Sequence, residues 1–397
     1  MPPETSQNFE ALSAQAQRLM GVFTRAGYEL VAPAIIQPAG LFLDVVGEDL
    51  RARTYVFSDP EGAELCLRPD LTVPTCRLHL GRHAAGNVPA RYCYSGPAFR
   101  YQPGGGDSTH PREFRQAGIE SFAAADREQA DAEVVGLIAE ALRDAGLARQ
   151  TLRIGDLGLF TALVDALPMP RRWRRRLHHK FWRPEAFRAE LARLTSASAL
   201  SAHGLPQTLV DALDPEAPAA AAALVEAHMT AANIELIGTR SLTEIADRLL
   251  IAAADARETP LPVETARLLE DYVRIRSDAA GAPAAIRALT KGAVTAGKAA
   301  GLDAALDAYD RRLTLLERAG VDLAGATFSA EFGRNLEYYT GFVFEILSAK
   351  LDAKSPVAGG GRYDSLLADV GAPAPIPAVG SSIHTERLLS ALEGGPA

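Results

Sequence analysis

Strand-forming sequence sits at the two ends of this chain, and a long helical stretch lies between them. Near the start, Phe9, Leu12, Leu19, Met20 and Phe23 recur at helical spacing and Gly27 marks a stop. An apolar segment, 28–32, then runs into Pro33. Residues 54–58 and 63–68 predict a hairpin around Asp59-Pro60-Glu61-Gly62. Segments 91–95 and 99–102 predict a second pair, and 112–122 a further strand beyond a loop at 103–111 that holds four prolines and glycines before Asp107. Residues 126–146 predict an amphipathic helix and 151–154 a core strand. From 166 to 319 the periodicity is helical; strand character returns at 326–332 and 338–347. A glycine run, Gly359-Gly360-Gly361, follows, then short helices over 363–370 and 384–392. Strands at both ends with helices between predict one α+β domain, parts 1–165 and 320–397, interrupted by a helical insertion over 166–319.

Of the 397 residues 48% are hydrophobic and 23% charged, a balance that supports a buried core and excludes a disordered or collagen-like chain. No stretch approaches the roughly 20 apolar residues of a membrane span. The first residues, Met1-Pro2-Pro3-Glu4-Thr5, have neither the basic nor the apolar part of a secretion signal, so a cytoplasmic location is expected. Cys66, Cys76 and Cys93 form no CxxC and read as buried free thiols. Net charge is −8, so nucleic-acid binding needs a local basic patch. Residues 171–193 offer one: nine Arg and Lys against Glu185 and Glu190 give that stretch +7 and leave the remainder at −15. Trp173 and Trp182 lie inside it. It reads either as a phosphate- or acid-binding surface or, the favoured reading, as a solvated helix face with its aromatics turned inward.

Chemistry gathers elsewhere. Strand alternation puts Phe114, Gln116, Gly118, Glu120 and Phe122 on one face of the 112–122 strand. An amide and a carboxylate between two aromatics are unusual for a core, and Arg100 on the partner strand is placed to meet Glu120 or an anionic ligand. Arg334, Tyr338, Tyr339, Gly360, Gly361, Arg362 and Arg387 add polar groups and close-approach positions from distant segments. Together they describe a pocket for a charged small molecule.

Six motifs in order, LRPDLT (67–72), FRYQ (99–102), REFRQAGIE (112–120), RNLEYYTG (334–341), GGRYD (360–364) and GSSIHTERL (380–388), resemble the catalytic domain of histidyl-tRNA synthetase, a class II synthetase. The resemblance implies a class II antiparallel sheet flanked by helices. It makes Pro33 the proline of a dimer interface and Arg100 and Arg387 the motif 2 and motif 3 arginines. It implies histidine recognition by Asp70, Thr72, Arg100, Gln116, Glu120, Arg334, Tyr338 and Tyr339, with Asp70 standing where the family has glutamate.

Three departures speak against a working synthetase. The chain stops ten residues after Arg387, so no anticodon-binding domain is expected; Gln102 replaces an adenine-binding carboxylate; and His384 replaces a glycine of motif 3. An imidazole there overpacks a nucleotide site. A histidine pocket without a complete ATP site resembles the regulatory subunit of ATP phosphoribosyltransferase. That resemblance implies a non-catalytic partner of a short catalytic subunit in a hetero-octamer, required for the first step of histidine biosynthesis and carrying feedback by histidine. No catalytic residue, metal, cofactor or tRNA partner is then expected. Two alternatives stand beside it: a truncated ligase forming histidyl-adenylate with Arg100, Arg334 and Arg387, and an RNA-binding protein using 171–193.

Overall fold

The alternating 112–122 segment becomes a central strand. In the computed structural model, which describes residues 6–43, 45, 47–103, 105, 111–201, 206–214, 217–234, 241–294, 296–333 and 337–393, the strands in chain order are β1 (Glu29–Leu30), β2 (Ile36–Pro38), β3 (Val56–Ser58), β4 (Glu64–Leu67), β5 (Ala90–Phe99), β6 (Glu113–Phe122), β7 (Thr151–Asp156), β8 (Arg276–Asp278), β9 (Thr327–Ser329), β10 (Phe342–Leu347), β11 (Ala358–Arg362) and β12 (Ala378–His384). Nine of them form one sheet in the order β1-β5-β6-β12-β11-β10-β7-β9-β8, and β2-β4-β3 form a small second sheet. The large sheet is antiparallel except at β1 with β5 and β7 with β9, which run parallel. The expected antiparallel sheet is therefore mixed, because short strands added near its edges arrive from helical connections rather than hairpins.

The predicted pairing of 91–95 with 99–102 is corrected. Residues 90–99 form one strand whose partner is β6, in register from Ala90 opposite Phe122 to Phe99 opposite Glu113. Most of the loop between them, Gly104 and 106–110, lies outside the described residues. The glycine run is no loop either. Ala358–Arg362 is fully buried in the sheet between β10 and β12. A Cβ on Gly360 would stand 2.1 Å from the carbonyl oxygen of Gly380, so backbone, not ligand, makes the close approach that requires glycine.

Helices Ser6–Arg25 and Arg127–Asp144 pack against each other and against the sheet. The second is capped by Asp126, whose side chain accepts from Gln129 N at 3.1 Å. Helix Ala296–Arg318 packs on Arg127–Asp144 and carries the buried Arg312 to Asp131 at 2.7 Å and Asp156 at 3.0 Å. That contact explains the domain boundary: the sheet unit comprises Met1–Leu167 with Tyr272–Ala397, and the other compact unit is Pro168–Asp271, where the helical pattern had predicted an insertion over 166–319.

Within the Pro168–Asp271 unit the basic segment has turned much of its charge inward. Buried Asp255 accepts from Arg172 Nε at 2.8 Å, Trp173 Nε1 at 2.8 Å, Arg176 at 2.6 Å and Arg193 at 3.1 Å. Buried Glu190 takes Lys180 at 2.5 Å and Arg193 at 2.8 Å. Burial raises the pKa of Asp255, but the bonds from Arg172, Trp173 and Arg176 outweigh it and hold the carboxyl below the usual range. Trp173 is in the core, as the inward-aromatic reading required, while four of the nine basic side chains hold buried acids instead of facing solvent alone. The three cysteines are free and buried. Among the described residues no helix is long and apolar enough to cross a membrane.

Candidate functional site

Six of the eight expected site residues meet around one cleft of about 290 Å³: Asp70, Thr72, Arg100, Gln116, Tyr338 and Tyr339. Asp70 and Thr72 come from the turn into helix Thr72–Arg82, Arg100 from just beyond β5, Gln116 from β6 and the two tyrosines from the turn before β10. β12 adds Gly380, Ser381, Ser382 and His384 opposite β6, with His384 in register with Gln116. Arg334 lies outside the described residues.

Glu120 does not line the cleft. It is fully buried in the sheet, where Tyr94 Oη donates to it at 2.9 Å and the Tyr363 hydroxyl donates to its other oxygen. Its position depends on Gly380, where any Cβ would strike the Glu120 carboxylate. Burial raises its pKa from 4.5 to about 7, against the hydrogen bonds from Tyr363, Thr72 and Tyr94 that lower it. Tyr363 is in turn edge-on to Tyr338, with centroids 5.8 Å apart, so Glu120 supports the tyrosine wall from behind.

The cleft is unsatisfied at its acceptors. Asp70 Oδ1 accepts from Val73 N at 3.2 Å and so caps a helix start, while Oδ2 is buried with no hydrogen-bond partner. Gln116 Nε2 donates to Ser382 Oγ at 3.3 Å, leaving Oε1 buried and unpartnered. Ser381 Oγ is likewise buried without a partner. Asp70 and Gln116 are each only 3% exposed. Burial pushes the Asp70 carboxyl up, and the charge of Arg100 opposes that shift. Buried acceptors left unpaired cost about 1–3 kcal/mol each, so Asp70 Oδ2 and Gln116 Oε1 are acceptors left over for donors from outside the chain, water or ligand. Arg100 and Arg387 supply positive charge in the same space; Arg100 Nε donates to Pro69 O at 2.9 Å and Arg387 Nη1 to Pro356 O at 3.1 Å.

Next to Gln116 an aromatic stack lines the cleft. The His384 ring lies 4.9 Å from Phe114 at an interplanar angle of 24°, and the Arg100 guanidinium is 5.0 Å from the same ring. Gln102 is engaged by Arg53 Nη2 at 2.6 Å. Glu345, Lys354 and Arg53 also line the cleft and were missed from sequence. Glu345 had a signal: it is a lone carboxylate inside the apolar strand FVFEIL. Arg362, grouped with the pocket from sequence, points instead into a buried network with Asp131 and Asp364. Among the described residues no three His, Cys, Asp or Glu side chains are placed to hold a metal ion.

The sequence profile of the histidyl-tRNA synthetase family matches residues 3–249 and 220–388. The ATP phosphoribosyltransferase regulatory subunit of Brucella anthropi is 36% identical over 361 residues, covering 91% of this chain and 92% of the relative. That of Brucella canis is 36% identical over 370 residues, 92% and 93% of the two chains. The chain belongs to the ATP phosphoribosyltransferase regulatory subunit family. Among solved structures, an ATP phosphoribosyltransferase regulatory subunit/histidyl-tRNA synthetase from Bacillus halodurans superposes with a TM-score of 0.67 at 20% identity, covering 99% of this chain and 82% of that one. A histidine–tRNA ligase subunit from Alicyclobacillus acidocaldarius gives 0.58 at 25% identity, covering 99% and 96%. The fold is thus class II synthetase-like, and His384 and Gln102, the two departures from the synthetase motifs, both line the cleft.

Proposed function

We propose that this chain is the non-catalytic regulatory subunit of ATP phosphoribosyltransferase, acting with a short catalytic subunit in the first step of histidine biosynthesis and binding histidine in the cleft as a feedback signal. The observation that carries the reading is the set of buried, unpartnered acceptors, Asp70 Oδ2 and Gln116 Oε1, beside the cations Arg100 and Arg387. A zwitterion with an additional ring N–H complements both: ammonium and imidazole N–H for the acceptors, carboxylate for the arginines. The His384–Phe114 stack fills space that a flat base would need, which supports a regulator over a ligase. Retention of Arg100 and Arg387 in the cleft keeps the histidyl-adenylate ligase as the second reading. The proposed assembly is a hetero-octamer in the cytoplasm. Self-association would use the face near Pro33, where Leu30 (57%) and Ile36 (52%) are exposed. With Arg172, Arg176, Lys180 and Arg193 bound to buried acids, tRNA is not a proposed partner.

Calorimetry with free histidine tests the site. Asp70→Asn removes one charge-assisted bond at constant size and is expected to weaken binding by about 2 kcal/mol, roughly thirtyfold. Unchanged affinity in a folded variant would place the ligand elsewhere. Histidine-dependent ATP–pyrophosphate exchange by the purified chain would favour the ligase and overturn the regulatory reading.

A further inference from the structure

The far edge of the large sheet holds a second, open cavity of about 830 Å³, lined by residues of β7, β8 and β9 and the turn after β9. Three cations line it, Arg153, Arg276 and Lys354, against two carboxylates, Glu331 and Glu345. They are not equally engaged. Arg276 spends Nη2 on Glu331 at 2.7 Å and Nη1 on the carbonyls of Val273 and Ile275. Arg153 is bonded to Glu345 and lies over the Phe332 ring at 4.7 Å, which fixes the plane of its guanidinium. Its Nε is nevertheless buried with no acceptor. Lys354 is exposed beside it, and among the described residues its ammonium pairs with no carboxylate. Thr327 and Ser329 bring hydroxyls to the same wall.

A guanidinium held by Glu345 and the Phe332 ring, a lysine and two hydroxyls line the cavity from several directions, which suits a tetrahedral anion better than a planar one. The cavity is far larger than a bare phosphate, and its two carboxylates are acceptors for hydroxyl groups. We propose that this second cavity binds a sugar phosphate, its phosphate on Arg153 and Lys354 and its hydroxyls toward Glu331 and Glu345. Glu345 and Lys354 line the first cleft as well, so the two sites share a wall. The assignment does not depend on what fills the first cleft.

Isothermal titration of the full chain at low ionic strength, with ribose 5-phosphate and with inorganic phosphate as probes, tests it. Saturable binding is expected for both, with ribose 5-phosphate at least fivefold tighter. Arg153→Met and Lys354→Glu should each weaken it tenfold or more. Arg387→Ala, in the first cleft, should leave it within twofold. Because Arg153→Met removes a bond that Glu345 makes inside the sheet, the exposed Lys354→Glu decides the matter if the other variant fails to fold. Absence of saturable binding, or binding lost in Arg387→Ala and kept in Lys354→Glu, overturns the site. Equal affinity for the two probes overturns the sugar part of the assignment. None of these outcomes involves histidine, so failure here is distinct from failure of the feedback reading.

Discussion

Asp131→Ala is expected to destabilise the sheet unit by about 3–5 kcal/mol, the range seen when one partner of a buried ion pair is removed. Asp131 is completely buried in the helix Arg127–Asp144 and receives two guanidinium groups, Arg312 at 2.7 Å and Arg362 at 2.6 Å. Arg312 is 6% exposed and Arg362 is 5% exposed, so neither can turn to water when the carboxylate goes. Each keeps a second partner, Asp156 for Arg312 and Asp364 for Arg362, which prevents the loss from growing further. The neighbouring Arg311 provides the control: it bridges Asp126 and Glu128 at the surface, and its alanine variant should behave as an ordinary surface substitution. Hydrogen exchange of β10 and β11 amides in increasing urea would report the sheet unit directly, whereas tryptophan emission would not, because both tryptophans lie in Pro168–Asp271. Equal stability of the Asp131 and Arg311 variants would show that apolar packing alone holds these helices to the sheet.

That network also explains why the domain boundary could not be read from the sequence. Residues 296–318 have helical periodicity like those before them, and periodicity says which face is buried but not against which body. The side chain that decides, Arg312, is one charge among many until its partners are known. Strands were legible where side chains alternate, as in 113–122, and illegible where they are small. Ala358–Arg362 and Ala378–His384 carry small residues at their centres, Gly359–Gly361 and Gly380–Ser382, where the backbones approach closely, and such residues carry turn signals in isolation. Gly96-Pro97 reads as a strand end, yet β5 continues to Phe99: β1 pairs only with Tyr92 and Cys93, so at Pro97 Arg68 rather than a strand covers that side, its Nε donating to Pro97 O at 2.8 Å, and the missing N–H is tolerated. In the cleft, residue types were readable and depth was not. Glu120 alternates with Gln116 on the same face, but the bare backbone of Gly380 lets the neighbouring strand cover it, and it ends up behind the wall of the cleft.

The buried position of Glu120 has a consequence for pH. Its carboxyl ionises at about 7 in the folded chain, against 4.5 ordinarily, chiefly because burial penalises the charged form. The native state therefore holds a proton that the unfolded chain releases between those values. Stability from this group is fully present below pH 4.5 and is lost as pH rises through about 7, by about 3 kcal/mol in all. The sign is opposite to that of Asp126, whose carboxyl is held down to about 2 by Arg311 and loses its contribution on acidification. Because several groups titrate together, the measurement is a difference: the stability of the wild type minus that of Glu120→Gln, from pH 4 to 8. The difference should fall with rising pH and level off above 7. A flat difference would mean that the three hydroxyls of Tyr94, Tyr363 and Thr72 stabilise the carboxylate enough to cancel its burial. The same proton bears on the cleft. A ligand ammonium or imidazolium lodged near Asp70 would draw Glu120 toward its ionised form, so histidine binding near pH 7 should release protons. Calorimetry in buffers of different ionisation enthalpy counts them, and Glu120→Gln should abolish that part of the release while leaving Asp70 and Gln116 in place.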